Sequence, residues 1–139
     1  YDTSLIYEEG QSRKKLTGSD SLSWKLKSWV IGIEVNNVAR AYDWNELKRL
    51  RIIVDTLGKI NLLLALAKDR KSFFAFINPE TALSWQIKGD TMMAGSQRYL
   101  VNGKSLTGSN HLTSLTAYQE FWHSWKNFHP HTSTWPTNQ

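Results

Sequence analysis

Hydrophobic and polar positions change rhythm several times along the chain, and each change marks an element. From Trp29 to Val35, WVIGIEV places Trp29, Ile31, Ile33 and Val35 on one face and Val30, Gly32 and Glu34 on the other, the two-residue period of a strand. Asn36-Asn37 follows, a pair that tolerates positive φ, and then VARAY, so the segment reads as a hairpin with a two-residue turn. Asp43, with Glu46 three residues on, opens a short helix, DWNELKRL, in which Trp44, Leu47 and Leu50 are spaced to pack inward. Arg51 to Thr56 and Ile60 to Ala67 make a second hairpin around Leu57-Gly58-Lys59. Its LLLALA run does not alternate, the mark of a central strand covered on both faces. SFFAFI, with Phe73 and Phe74 on opposite faces, is followed by ALSWQIK, TMMAG and RYLV, with turns at Gly89-Asp90 and Asn102-Gly103. This is a meander of short strands, and Leu106 to Ser114 reads as loop.

The last change comes at TAYQEFWHSWKNFHP, where Tyr118, Phe121, Trp122, Trp125 and Phe128 recur three and four residues apart. Such spacing stacks side chains on one helical face. Thr116 with Gln119 has the form of a capping box, and Pro130 cannot continue the ladder, which predicts an amphipathic helix over residues 116–129. Together the elements predict a mainly β (α+β) domain: a barrel-like or rolled antiparallel sheet of short strands, capped by the C-terminal amphipathic helix. Residues 28–135 form this single domain. Residues 1–27, polar and rich in Ser, Lys and Gly, read as an extended lead-in segment with room for one short strand, and Trp135 pins the tail.

Composition narrows the picture without naming a chemistry. The 139 residues are 40% hydrophobic and 21% charged, ordinary for a globule, but seven Trp is high, and large aromatic surfaces need partners. The longest clean apolar run, Leu62 to Ala67, is far short of the roughly 20 residues that span a bilayer, so no transmembrane segment is expected in this chain. The first residue is Tyr, which fits a processed or truncated product and leaves open a leader or anchor before it. With no cysteine there is neither a disulfide framework nor a thiolate. The formal charge of +5 favours the first half, through RKK at 13–15, KLK at 25–27, KRLR at 48–51 and KDRK at 68–71. Acids are interspersed among these clusters, so they read as solvated turns and faces, and nucleic acid is not the expected partner.

Two stretches in a fixed order resemble a known family. WVIGIEVNNVARAYDWNELKRLRIIVDTLG, with Arg40-Ala41-Tyr42 ending the hairpin and Asp55-Thr56 before a Gly turn, is followed by Trp85 after a Phe-rich strand and then by LTSLTAYQEFWHSWKNFHPHT. In this order the pieces resemble the bacterial family called domain of unknown function 3179, over about residues 28 to 132. Many members of that family carry a Cys-x-x-Cys on the strand after the Asp-Thr-Gly turn, which implies thiol redox or metal chemistry. Here that stretch is INLLLALAKDRKSFFAF, and Val54 stands where the family commonly has Asn. Thiol exchange needs a thiolate, which this chain cannot make. The resemblance also implies an extracytoplasmic location, in the periplasm or at the cell surface, since members are often exported or attached to the outer side of a bacterial membrane.

Few residues stand out as site candidates. Asp55, between apolar strand residues just before a Gly turn, is either a turn-capping acceptor or a pocket acid, and the turn is the commoner use of Asp. Trp44 and Trp85 could line a cleft for a flat or apolar ligand. His129 falls where a helix C-terminus favours a cation, and it is the other candidate for a pocket with Asp55 and Trp85. His123 and His129 are six apart, about 240° of net rotation on a helix, so they do not share an ion, and no metal site is expected. Gly103-Lys104-Ser105 lacks the glycine spacing and following helix of a phosphate loop and reads as a turn. No nucleophile elbow, zinc motif or cofactor fingerprint appears, so neither a catalytic residue nor a cofactor is expected. The sequence therefore points to a non-catalytic accessory or structural module with a protein partner, part of a membrane-associated or cell-envelope assembly. The rival is a small-molecule-binding protein or enzyme with a pocket near Asp55, Trp85 and His129.

Overall fold

The computed structural model describes residues 23–137, so most of the 1–27 lead-in segment, with its expected strand, lies outside the described residues. Strands β1 (Trp29–Val35) and β2 (Val38–Asp43) form the first hairpin, with Asn36 and Asn37 at φ of 52° and 66°. Both central residues of a turn that follows the strand twist need such values. Helix α1 (Trp44–Leu50) follows at once with Asp43 as its N-cap residue. Trp44 and Leu47 are buried, whereas Leu50, expected to point inward, is 37% exposed. It occupies the last helical position, where left-handed Arg51 (φ 65°) turns the chain into the next strand.

Strands β3 (Ile52–Leu57) and β4 (Ile60–Leu66) form the second hairpin, through Gly58 and Lys59 at φ of 56° and 68°. Then come β5 (Phe73–Ile77) and the meander β6 (Trp85–Lys88), β7 (Thr91–Ala94) and β8 (Gln97–Leu100). Short β9 (Ser114–Leu115), β10 (Tyr118–Phe121), helix α2 (Trp122–Phe128) and β11 (Ser133–Trp135) complete the described chain.

The strands build three sheets, ordered β10-β1-β2-β11, β3-β4-β5-β9 and β6-β7-β8. Pairing is antiparallel except between β11 and β2. The domain is mainly β, as the short-strand pattern predicts, but the sheets stack in layers and close no barrel. Ile31, Ile33 and Tyr42 of the first sheet meet Ile53, Leu57, Leu62, Leu64 and Leu66 of the second, with Trp44 and Leu47 of α1 filling in. On the opposite face of the second sheet, Leu63, Ala65 and Phe76 meet Trp85, Met92, Ala94 and Tyr99 of the third. On the outer face of the first sheet, Val30 and Ala41 lie under Trp122 and Trp125 of α2. The alternation read from β1 is thus correct, with Val30 and Gly32 under the helix and Ile31 and Ile33 in the core between sheets.

The aromatic stretch differs from the expected helix. Residues 118–121 are strand, paired with β1 from Gly32↔Tyr118 to Trp29↔Phe121, and the helix begins only at Trp122. An open edge of β1 offers backbone groups that need partners, and that demand outweighs local helical spacing. Instead of a Thr116–Gln119 capping box, the turn before β1 receives the helix start: Trp122 N–H donates to Ser28 O (2.8 Å) and His123 N–H to Leu26 O (2.9 Å). The aromatic stripe is divided accordingly. Phe121 stacks on Trp29 at 4.3 Å between ring centroids, Trp122 and Trp125 are buried under α2, and Tyr118 and Phe128 are exposed.

Two variants probe this packing. A Cβ on Gly32 would fall inside the Trp125 indole, so Gly32→Ala should destabilise the domain by roughly 2–3 kcal/mol in urea denaturation, as overpacking does. Asp43 is 4% exposed, and burial raises its carboxyl above the usual carboxylate range against the hydrogen bond it accepts from Ser23 (3.0 Å). The folded state then holds this proton more tightly than the unfolded chain, so stability falls as pH rises from about 4 through the raised value. Asp43→Asn keeps an oxygen to accept from Ser23 without the charge. It should raise the melting temperature at pH 7 and lose that advantage below about pH 4.

Candidate functional site

Strand β2 runs with period two, so Arg40 and Tyr42 point from the first sheet toward the second, where Asp55 stands on β3 opposite Leu62. Arg40 Nη1 donates to Asp55 Oδ2 at 2.6 Å, and Tyr42 Oη–H donates to the same oxygen at 2.8 Å. Arg40 also donates through Nε to Ser133 Oγ on β11 (2.8 Å) and through Nη1 to Thr56 O (3.1 Å). One carboxylate and one guanidinium therefore tie three strands together. Asp55 caps no turn; the neighbouring Gly58 turn is held instead by Asn36 Nδ2–H donating to Gly58 O at 2.7 Å.

Both ends of the pair are partly sheltered, with Arg40 and Asp55 side chains 23% and 18% exposed. Burial first, then the hydrogen bond to Asp55, pushes the Tyr42 phenol far above its usual range, so it stays a proton donor at any physiological pH. Burial lowers the Arg40 pKa, but hydrogen bonding to Asp55 and its charge outweigh that and raise it. The network is thus a fixed arrangement of donors around a carboxylate oxygen.

Beside it opens a cleft of about 610 Å³ lined by Arg40, Asp55, Lys126, Ser133, Thr134 and Trp135, among others. Lys126 Nζ lies over the Trp122 ring, 5.4 Å from its centroid. Polar and apolar groups share the lining evenly, and none of the lining residues is a nucleophile paired with a base.

The other sequence candidates lie elsewhere. Trp44 (7% exposed) is edge-on to Phe73 in the core between the first two sheets. Trp85 (8% exposed) belongs to the other core, tilted on Tyr99, and its indole N–H donates to Asn78 Oδ1 at 3.1 Å. Neither indole has a free face for a ligand. His129 ends α2, its backbone N–H donating to Trp125 O and its ring stacked on Trp125 at 3.8 Å. Its Nε2 sits 3.6 Å from Glu34 Oε1. Asp55, Trp85 and His129 therefore share no pocket. Arg40 and Tyr42 stand out in the sequence as part of the family motif but not as site residues, and Ser133 does not stand out at all. The i, i+2 spacing of Arg40 and Tyr42 holds a signal for a shared face; Ser133 holds none. Among the described residues no group of three or more His, Cys, Asp or Glu could hold a metal ion, and no helix is long and apolar enough to cross a membrane.

Removing one donor at a time tests the network. Tyr42→Phe should cost about 1–2 kcal/mol and Arg40→Met about 2–3 kcal/mol in denaturant titrations, in line with hydrogen bonds to charged groups. A double-mutant cycle should show coupling between them through Asp55; wild-type stability in both variants would remove the network from the account.

The two motifs that meet at Asp55, Arg40-Ala41-Tyr42 and Asp55-Thr56, are among those that carry the family likeness. Neither a curated protein nor a solved structure matches the chain. A family model described as "Protein of unknown function (DUF3179)" matches residues 6–132, reaching well into the lead-in segment. The chain belongs to the DUF3179 family.

Proposed function

We propose that the domain is a non-catalytic module of an extracytoplasmic, membrane-associated bacterial assembly, where it holds a protein partner. Strand β4 carries this reading. Where resembling proteins place a cysteine pair on the strand after the Asp-Thr-Gly turn, this chain has Leu62 to Leu66 at 0% exposure, alternating into two hydrocarbon cores. A reacting sulfur needs access and a tuned pKa, and this strand offers neither sulfur nor access. What the scaffold still presents is surface, including the exposed rings of Tyr118 on β10 and Phe128 at the end of α2. Exposed aromatic rings are favoured contact groups at protein interfaces. The extracytoplasmic placement rests on the habit of resembling proteins.

Gentle detergent extraction of native membranes tests the reading. The protein should migrate in a complex well above the mass of its own denatured polypeptide, with defined companions that remain through a salt wash. A free monomer released by salt would count against it.

A further inference from the structure

The cleft beside Asp55 plays no part in the reading above, and its chemistry is specific. Asp55 spends Oδ2 on Arg40 and Tyr42, while Oδ1 accepts from none of the described residues. Arg40 spends Nε and Nη1, while Nη2 donates to none of them. Two side chains joined at 2.6 Å thus each keep one polar atom unbonded to any described residue, on a frame braced from β2, β3 and β11. Trp135 adds an aromatic surface. It packs against Tyr42 at 6.1 Å between centroids, stays half-buried, and lines the same cleft.

Each ligand class meets a different fate here. An apolar ligand would strip water from Asp55 and Arg40 without replacing their hydrogen bonds, at a cost of about 1–3 kcal/mol for each group left unpaired. A bare anion would face the Asp55 carboxylate. A vicinal diol fits both free groups, one hydroxyl donating to the carboxylate and its neighbour accepting from the guanidinium. The C–H face of a sugar ring suits an indole, which combines apolar surface with defined geometry.

We propose that this cleft binds a saccharide, with a vicinal diol across Asp55 and Arg40 and a ring face on Trp135. Arg40 and Asp55 cancel in charge, so Lys126 leaves the lining positive and favours a saccharide bearing a carboxylate. This inference is independent of the protein-partner reading: loss of companions leaves it standing, and failure to bind sugar leaves that reading standing.

The test is calorimetric titration of the full chain with maltotriose, triacetylchitotriose and trigalacturonate, with inorganic phosphate as the anion probe. At least one trisaccharide should bind saturably with Kd of roughly 0.1–1 mM, trigalacturonate most tightly, while phosphate does not bind. Asp55→Asn should weaken that binding about tenfold. Lys126 is exposed, so Lys126→Gln keeps the fold and should weaken trigalacturonate about 3- to 10-fold without moving the neutral sugars; it decides the matter if the Asp55 variant does not fold. Silence from all three trisaccharides, binding of phosphate alone, or trisaccharide affinity unmoved in both variants would overturn the proposal.

Discussion

Everything in this domain is arranged around a strand, β4, that from Leu62 to Leu66 has no solvent face. Leu62 to Leu66 of β4 are 0% exposed, and consecutive side chains of a strand point to opposite sides. A strand of unbroken hydrocarbon therefore demands a hydrophobic layer above and another below. The first sheet, with α1, meets one demand and the meander of the third sheet meets the other. A barrel would supply one interior; two separate interiors call for stacked sheets.

The same stacking creates the polar site. Asp55 lies on β3, hydrogen-bonded within the second sheet to β4, and its neighbour across the layer is β2 of the first sheet. A carboxylate at that junction is partly desolvated and needs donors. Arg40 and Tyr42 supply them. Arg40 then reaches β11 through Ser133, so the segment after α2 is fastened by the group that fastens the two sheets. The cleft is the space left where these three attachments meet.

The outer face of the first sheet shows how the C-terminal aromatics are used. Gly32 leaves room for Trp125, and Val30 and Ala41 complete a small floor beneath α2. Trp24 meets Trp122 edge-on at 5.0 Å, closing the side of that cluster. The helix is only Trp122–Phe128, too short for independent stability in water. Its indoles hold it in place, together with the Ser28 and Leu26 carbonyls that accept its first N–H groups.

How much of this was legible in the residues follows from the range of the forces involved. Both hairpins depend on two-residue turns whose backbone needs are met locally, by Asn36-Asn37 and by Gly58-Lys59, and so were readable. The double burial of LLLALA was readable too, because failure to alternate is a property of consecutive residues. The split of the aromatic stretch at Trp122 was not. Tyr118 to Phe121 fit helical spacing as well as a strand, and what decided was the unpaired edge of β1, nearly ninety residues earlier in the chain. The partners of Asp55 were equally hidden. The sequence displays Arg40-Ala41-Tyr42 and Asp55-Thr56 as separate motifs. Only the folding of one sheet onto another brings them within hydrogen-bonding distance and adds Ser133, 93 residues from Arg40. Local turn chemistry and burial pattern are written in neighbouring residues. Edge pairing and contact between layers depend on the assembled sheets, whose partners are distant in the chain.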